Sequence, residues 1–250
     1  IEGSDSRFKT KATDKDGNTP KMAHPDQIKA NDRIKDKKDK YKGDYSEFTD
    51  IARSSLVFQT PAELLASQSK IIKYFDQRGQ RIVNEKNRFA EPTDDGYSDI
   101  LLNVKGSDGH IFEFQLHVEA LNKAKGHCAS KEEWVEKWDT ISRNPLYEQL
   151  RTSAMILLKE NQSEEGISLP SKAADSAVKV IKASADVEIS GHDLYNVKRH
   201  LFEKSPKEHE QHLFVWTKAA KELFYGPAAA EIASEHGPDL EALKGLTFKR

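Results

Sequence analysis

The sequence predicts an α+β fold, in which a mixed β-sheet of about five strands is flanked by helices and followed by a helical C-terminal extension. Two observations predict it. Short segments rich in apolar and β-branched residues, typical of strands, fall between residues 51 and 118. After residue 119 the apolar residues recur at helical spacing in almost every segment. A strand, a helix and a strand meander, followed by helices, is the order of an α+β domain.

Each element follows from a local signal. Residues 51–60, "IARSSLVFQT", predict the first strand, and Pro61 suits the first turn of a helix that Thr60 would cap and Gly79 would end. Further strands are predicted at 80–86, 98–105 and 110–118, with "GSDG" as the turn between the last two. Helices are predicted near 119–126, 131–142, 145–160, 171–184, 192–204, 207–225 and 227–235.

Composition divides the 250 residues into three parts. Residues 1–45 hold twelve basic and nine acidic residues and few large apolar ones, which predicts a basic, polar arm. Residues 46–160 form the predicted core domain, and residues 161–250 the helical extension. The net charge of −2 gives no argument for nucleic acid or an anionic membrane, and no apolar run approaches a membrane span. Because the chain begins with Ile1, we expect a fragment of a longer polypeptide.

The predicted strand 110–118, "HIFEFQLHV", has two different faces. Strand alternation places Glu113, Gln115 and His117 on one face and large apolar side chains on the other. Half-exposed strands are common in antiparallel sheets. The polar face is therefore either solvated or the floor of a cleft, and the pattern alone leaves both interpretations open.

The segment before this strand supplies cations and an aromatic ring. Lys86 and Arg88 precede a loop that Pro92 and Gly96 shape and that ends at Tyr97. Ammonium and guanidinium groups can hold a polyphosphate, and an aromatic ring can stack on a base. This combination of side chains favours a nucleotide site.

Two carboxylates are candidates for metal binding and proton transfer. Asp50 lies directly before the first predicted strand, and Glu113 lies on a neighbouring strand. Mg²⁺ takes one or two carboxylates together with phosphate oxygens and water, so this pair suits a magnesium site. A carboxylate there could also draw a proton from an attacking hydroxyl group.

At these residues the sequence resembles the synthetase domain of the RelA/SpoT family of alarmone synthetases, which transfer pyrophosphate from ATP to the 3′-hydroxyl of a guanine or adenine nucleotide. The family's loop of a Lys, nine variable positions with a Pro, and Gly-Tyr is matched by Lys86, Pro92, Gly96 and Tyr97. Its Glu-x-Gln-(Ile/Leu) strand is matched by Glu113, Gln115 and Leu116. Its upstream Asp and Arg-x-Lys are matched by Asp50, Arg7 and Lys9, so the resemblance covers about residues 5–155.

The resemblance implies the RelA/SpoT synthetase fold, which is nucleotidyltransferase-like, with ATP as substrate and Mg²⁺ as cofactor. Asp50 and Glu113 would hold Mg²⁺, and Glu113 would also lie near the attacking hydroxyl group. Gln115 would be a polar group at the catalytic centre. The ATP site is assigned to basic residues, namely Arg7 and Lys9 of the arm and Arg53.

The acceptor nucleotide is assigned to four residues of the core. Lys86 would contact its phosphate and Tyr97 would stack on its base, and the acceptor side also includes Arg88 and His117. The chain departs from the family on this side. Thr93 stands where a basic residue is common directly after the Pro, and Asp94 and Asp95 make the loop more acidic. In addition, Leu101 replaces a His, and Arg53 and Ser55 replace a Gly and an Arg. The acceptor therefore stays open between GDP or GTP and ADP or ATP.

Further motifs resemble a divergent branch of the family found in bacterial toxins and secreted effectors: Gly126, His127, Tyr147, Glu148 and Arg151. That branch implies a toxin or effector that acts in the cytoplasm, or is delivered there as part of a larger secreted polypeptide. An immunity protein or a carrier polypeptide would be a partner, and no membrane is expected. Two alternatives remain: pyrophosphate transfer to the 3′ end of tRNA, hinted at by the basic arm, or an inactive nucleotide-binding or protein-binding module.

Three other features have ordinary structural interpretations. His192 and Asp193 could bind a metal, but the sequence favours Ser190 or Asp193 as a helix cap. Lys123 and Lys125 could assist in phosphate binding, and we expect them instead to be solvated. The remaining histidines lie scattered over predicted helices without a zinc-binding pattern.

Overall fold

The computed structural model describes residues 21–28, 52–126, 128–162, 168–204, 207 and 209–248. Its five strands are β1 Lys21–Ile28, β2 Ala52–Phe58, β3 Arg81–Asn87, β4 Ile100–Lys105 and β5 Ile111–Val118. They form one sheet in the order β1-β2-β5-β4-β3, in which β2 and β5 are parallel and all other neighbours antiparallel. The predicted α+β class, with a mixed sheet of about five strands, is confirmed.

The helices follow the predicted order along the chain. They are α1 Pro61–Asp76, α2 Glu119–Lys125, α3 Lys131–Arg143, α4 Pro145–Glu160, α5 Ser171–Lys182, α6 Gly191–Lys204, α7 Glu210–Ala220 and α8 Gly226–Lys244, with a π-helix at Lys221–Tyr225. The predicted cap of α1 is confirmed, because the Glu63 amide donates to Thr60 Oγ1 at 3.3 Å with Pro61 in the first turn.

The C-terminal helices differ from the sequence prediction of two helices at 207–225 and 227–235. α7 ends in the π-helix, and α8 continues to Lys244 with a break at His236, whose φ is −136°. Gly226 keeps helical dihedral angles, so it does not end the helix. Pro238 cannot donate a backbone hydrogen bond, which accounts for the break.

The chain divides into two compact units, and the first contains the sheet. This sheet unit comprises Ile1–Glu91, Ser98–Glu119 and Ile232–Arg250. Phe75 of α1 packs edge-on against Phe114 of β5, with ring centroids 5.3 Å apart. Glu85 of β3 accepts hydrogen bonds from Thr247 and from the Phe248 amide. The last described residues therefore pack against the same unit as the sheet.

The second unit is helical. It comprises Pro92–Tyr97 and Ala120–Glu231. α5 packs against α4 and α6, and α7 packs against α4 and α6. Trp216 of α7 is fully buried and its indole N–H donates to Ser153 of α4 at 2.8 Å. The short segment 92–97, which sequence analysis assigned to the acceptor, thus belongs to the helical unit.

One strand lies where the sequence indicates only an arm. β1 falls within residues 1–45 and pairs with β2 through a register broken at two places. It contains Pro25, and strands with proline occur at sheet edges, where one side needs no ladder hydrogen bonds. The three-part division with boundaries after residues 45 and 160 stays a prediction. Among the described helices none is both long and apolar enough to cross a membrane.

Candidate active site

The sheet has two chemically different faces, which we name after residues of β5. The Phe114 face includes Phe112 and Phe114, whose rings lie 6.2 Å and 5.3 Å from that of Phe75. The Glu113 face carries the alternate residues Glu113, Gln115 and His117. α1 therefore covers the Phe114 face, as the apolar pattern predicts.

Strand register places a row of polar residues across the Glu113 face. Arg53 of β2 and Asn103 of β4 are the partners of Glu113 on either side. Directly paired residues point to the same face, and neighbouring strands lie about 4.8 Å apart. The row continues to β3, where Asn84 donates to Asn103 Oδ1 at 3.2 Å. Asn84 and Asn103 had no assigned role in the sequence analysis.

A second row runs parallel to the first, two residues further along each strand. Gln115 is paired with Ser55 of β2 and Leu101 of β4, and Leu101 is paired with Lys86 of β3. The two rows are linked on β5, because Gln115 Nε2 donates to Glu113 Oε1 at 2.8 Å. Glu113 is half-buried and Lys86 is exposed. The face therefore presents a carboxylate, with a cation on its edge strand.

Arg53 and Lys86 bring positive charge to this face from opposite sides of Glu113. Arg53 is half-buried on β2 and Lys86 is exposed on β3. Within the part of the chain that the structure describes, no acidic side chain forms an ion pair with either. Guanidinium and ammonium groups in this setting suit the phosphates of a nucleotide.

His117 lies at the end of the Glu113 face and is only 2% exposed. Its partner on β2 is Val57, also buried. A side chain this buried is a poor candidate for contact with a nucleotide. The assignment of His117 to the acceptor stays a prediction that its burial disfavours.

Arg88 is engaged by a buried carboxylate. Its guanidinium lies 2.5 Å from Asp99 Oδ1, and its backbone N–H donates to the Asp99 carbonyl at 2.8 Å. Asp99 is fully buried and the Arg88 side chain is 22% exposed. Burial of an unpaired carboxylate is costly, so neutralising Asp99 is a sufficient structural reason for Arg88. Its assignment to the acceptor also stays a prediction.

The loop 92–97 of the helical unit is closed by its own hydrogen bonds. The Gly96 amide donates to the Thr93 carbonyl at 2.7 Å, and the Thr93 amide donates to the Tyr97 carbonyl at 3.1 Å. Gly96 adopts φ +84°, which favours glycine. Asp95 is 3% exposed and accepts hydrogen bonds from the Thr93 hydroxyl and from Lys198 of α6.

Tyr97 is half-buried between an aromatic and a cationic side chain. Its ring centroid lies 5.5 Å from that of Tyr225, and Lys125 Nζ donates to its hydroxyl oxygen at 3.1 Å. The expectation from the sequence that Lys125 is solvated is therefore wrong. The motif identified Tyr97 from the sequence. Its neighbours Lys125 and Tyr225 could not be identified in this way, because they lie 28 or more residues away in the chain.

Other sequence motifs turn out to have structural partners within the helical unit. Tyr147 is buried and donates to the Val180 carbonyl at 2.9 Å. Ser190 and Asp193 bond each other's backbone and side-chain atoms at the start of α6, which confirms the predicted cap. Asp193 also pairs with Lys179 at 3.1 Å. These hydrogen bonds and this ion pair give Asp193 a structural role that needs no metal ion.

Three assigned residues, Arg7, Lys9 and Asp50, lie outside the described residues. Across the described residues no group of three or more His, Cys, Asp or Glu side chains is placed to hold a metal. Mg²⁺ does not require such a group, because one or two carboxylates suffice when phosphates and water complete its shell. Glu113 provides a carboxylate on a partly exposed face and fits this hard cation.

No protein-family model and no curated protein sequence matches the chain. Solved structures do resemble it. A chain of the complex between the Type VI effector Tas1 and its immunity protein is 17% identical, with a TM-score of 0.42, over 85% of this chain and 82% of that chain. Small alarmone synthetase 1 from Bacillus subtilis, bound to its product pppGpp, is 14% identical, with a TM-score of 0.33, over 74% and 78%.

A third similar structure is a GTP pyrophosphokinase family protein from Streptococcus pneumoniae. It is 12% identical, with a TM-score of 0.41, over 98% of this chain and 88% of that chain. All three structures have a TM-score below 0.5 and are less than 25% identical to this chain.

Proposed function

We propose that the protein is a Mg²⁺-dependent nucleotide pyrophosphokinase, which transfers pyrophosphate from ATP to the 3′-hydroxyl of an acceptor nucleotide. One observation carries the proposal. Glu113 and Gln115 of the Glu-x-Gln motif share the Glu113 face and are hydrogen-bonded to each other. Strand register adds Arg53 and Lys86 to the same face. A carboxylate can accept the proton of the attacking hydroxyl group, and cations on either side of it can stabilise the charge on the phosphates during pyrophosphate transfer.

The proposed reaction exchanges one P–O bond for another. The acceptor's 3′-oxygen attacks the β-phosphorus of ATP, the bond from that phosphorus to the α–β bridging oxygen breaks, and AMP leaves. Glu113 accepts the hydroxyl proton. Arg53 stabilises charge on the ATP phosphates and Lys86 holds the acceptor's phosphate, so that catalysis comes mainly from positioning and charge stabilisation.

Mg²⁺ would be held by Glu113, together with Asp50, and would neutralise charge on the transferred phosphates. Gln115 has a separate part. Its amide N–H donates to one oxygen of Glu113, which orients the carboxylate. Tyr97 would stack on the acceptor base.

The test is release of AMP. Purified protein with ATP and Mg²⁺ is mixed with GDP, GTP, ADP or tRNA in turn, and nucleotides are measured by mass spectrometry. Glu113→Gln keeps the shape of the side chain and removes its charge, so turnover should fall by at least ~10²-fold. The exposed Glu91, changed to Gln, is the matched control and should keep wild-type turnover. Absence of AMP with every acceptor, or unchanged turnover in Glu113→Gln, would refute the proposal.

The proposal includes use as a toxin or effector, with an immunity protein as partner. It is supported by the sequence resemblance at residues 126–151 to the effector branch. Induced expression of the wild type in bacteria should arrest growth and change nucleotide pools, whereas Glu113→Gln should do neither. Growth arrest by both proteins alike would separate toxicity from the transfer reaction.

A further inference from the structure

The helical unit holds the loop that ends at Tyr97 by a charged contact from α6. Lys198 donates to the carboxylate of Asp95, two residues before Tyr97 in sequence and 103 residues before Lys198. The Asp95 side chain is 4% exposed and that of Lys198 is 17% exposed. An ion pair with so little solvent access keeps a defined geometry, unlike an exposed pair.

The loop also contacts the π-helix. A Cβ added to Gly96 would lie 3.4 Å from Tyr225 Cβ and 3.5 Å from Lys221 Cγ, so the backbone of the loop lies directly on this helix. A π-turn adds one residue to the helical repeat and shifts the side chains that follow it. Here it presents Tyr225 to both Gly96 and the ring of Tyr97.

Tyr225 is itself fixed against the start of α6. It is 2% exposed, and a Cβ on Gly191 would lie 2.6 Å from its hydroxyl oxygen. Burial, and secondarily the negative charge of Asp95, raises the pKa of Tyr225, so its phenol is neutral at physiological pH. α6 therefore supports the loop twice, directly through Lys198 and indirectly through Tyr225.

We propose that Lys198, through its ion pair with Asp95, is a positioning residue that orients Tyr97 for the acceptor nucleotide. This inference rests on the proposed function. It gives the C-terminal helices a part in acceptor binding, which nothing in the sequence indicated. The loop itself stays closed by Thr93, so the ion pair sets where the closed loop lies on α6.

The proposal predicts an effect on the acceptor and not on ATP. Lys198→Met removes the ammonium group at similar length. We expect the KM for the acceptor to rise roughly 10- to 100-fold, because a displacement of about 1 Å at a substrate-positioning group can cost that much. The KM for ATP should stay unchanged. Lys198→Arg retains the positive charge and should restore acceptor binding.

Lys198→Met leaves the buried Asp95 carboxylate without its counter-charge, which could destabilise the fold, so a second variant removes both charges. The pair Asp95→Asn with Lys198→Met removes both charges, and an asparagine can still accept from Thr93. It should melt close to the wild type and yet show the raised acceptor KM. Lys179→Met is the matched control, since Lys179 of α5 pairs with another buried aspartate, Asp193, which lies on α6 as Lys198 does. It should leave both KM values unchanged.

The experiment combines these KM measurements with hydrogen exchange of residues 92–97. Faster exchange there in the double variant, with a raised acceptor KM, supports the proposal. A wild-type acceptor KM in the double variant, while the wild type releases AMP, overturns it and leaves the proposed function intact. If the wild type itself releases no AMP with any acceptor, the proposed function fails and this inference fails with it.

Discussion

Replacement of Arg88 by Met should destabilise the sheet far more than it affects turnover per folded molecule. Asp99 is 0% exposed, and its partner guanidinium lies at 2.5 Å. Removal of one member of a buried ion pair costs about 3–5 kcal/mol, because the remaining charge stays buried without that counter-charge. A domain is stable by only about 5–15 kcal/mol, so the loss is a large fraction of the total.

Hydrogen exchange of the β3 and β4 amides is the suitable assay. All three tryptophans lie in the helical unit, so their fluorescence would not report on the sheet. At about 1.4 kcal/mol for each factor of ten, the expected loss accelerates exchange by on the order of 10²- to 10⁴-fold. Combining Arg88→Met with Asp99→Asn removes both charges and should recover most of the protection.

The matched control is a pair of the same residue types on the surface. Arg143 lies 2.6 Å from Asp139, with the two side chains 77% and 59% exposed. Arg143→Met should therefore cost no more than about 0.5 kcal/mol. Unchanged exchange in Arg88→Met, with a raised acceptor KM, would show that Arg88 serves the acceptor as the sequence analysis assigned it, and would refute the structural explanation.

Two further predictions concern the helical unit. Gly96→Ala should cost about 1–2 kcal/mol, because alanine is strained at φ +84°, and should speed exchange of the loop amides. Gly237→Ala is the control, because Gly237 has no positive φ and an added Cβ there would meet no atom within 4 Å. Burial raises the pKa of the Cys128 thiol to about 11, so its alkylation by iodoacetamide should keep accelerating with pH beyond pH 9. Alkylation of Cys128 that reaches a plateau near the ordinary thiol pKa would contradict the second prediction. Unchanged exchange of the loop amides in Gly96→Ala would contradict the first.

Local sequence signals predicted the elements that depend on neighbours in the chain. The cap at Thr60 and the turn that joins β4 to β5 are set by residues within five positions, and the structure confirms both. Gly109 in that turn adopts φ +85°, as a tight turn requires. The alternation of β5 likewise predicted which residues share the face of Glu113.

Contacts between distant residues were beyond such signals. β1 has neither alternating apolar residues nor a clean register, and only its pairing with β2 identifies it as a strand. The hydrogen bonds from residues 247 and 248 to Glu85 join positions more than 160 residues apart. Arg88 was interpreted as a phosphate ligand because it lies beside a nucleotide-binding motif in the sequence. The sequence does not show that Asp99 is buried and paired with it.

The two acidic residues of the loop, Asp94 and Asp95, have different roles once their contacts in the structure are known. Asp94 and Asp95 follow Thr93, which stands where a basic residue is common, and on sequence alone both acidic residues bear on the acceptor. In the structure Asp95 is buried against Lys198, whereas Asp94 is exposed. Asp95 then belongs to the attachment of the loop, because a buried carboxylate bonded to an ammonium group has little left to offer a ligand. Only Asp94 remains to influence the acceptor directly, so Asp94→Lys should alter acceptor preference at unchanged stability, and Asp95→Lys should disrupt the loop for every acceptor.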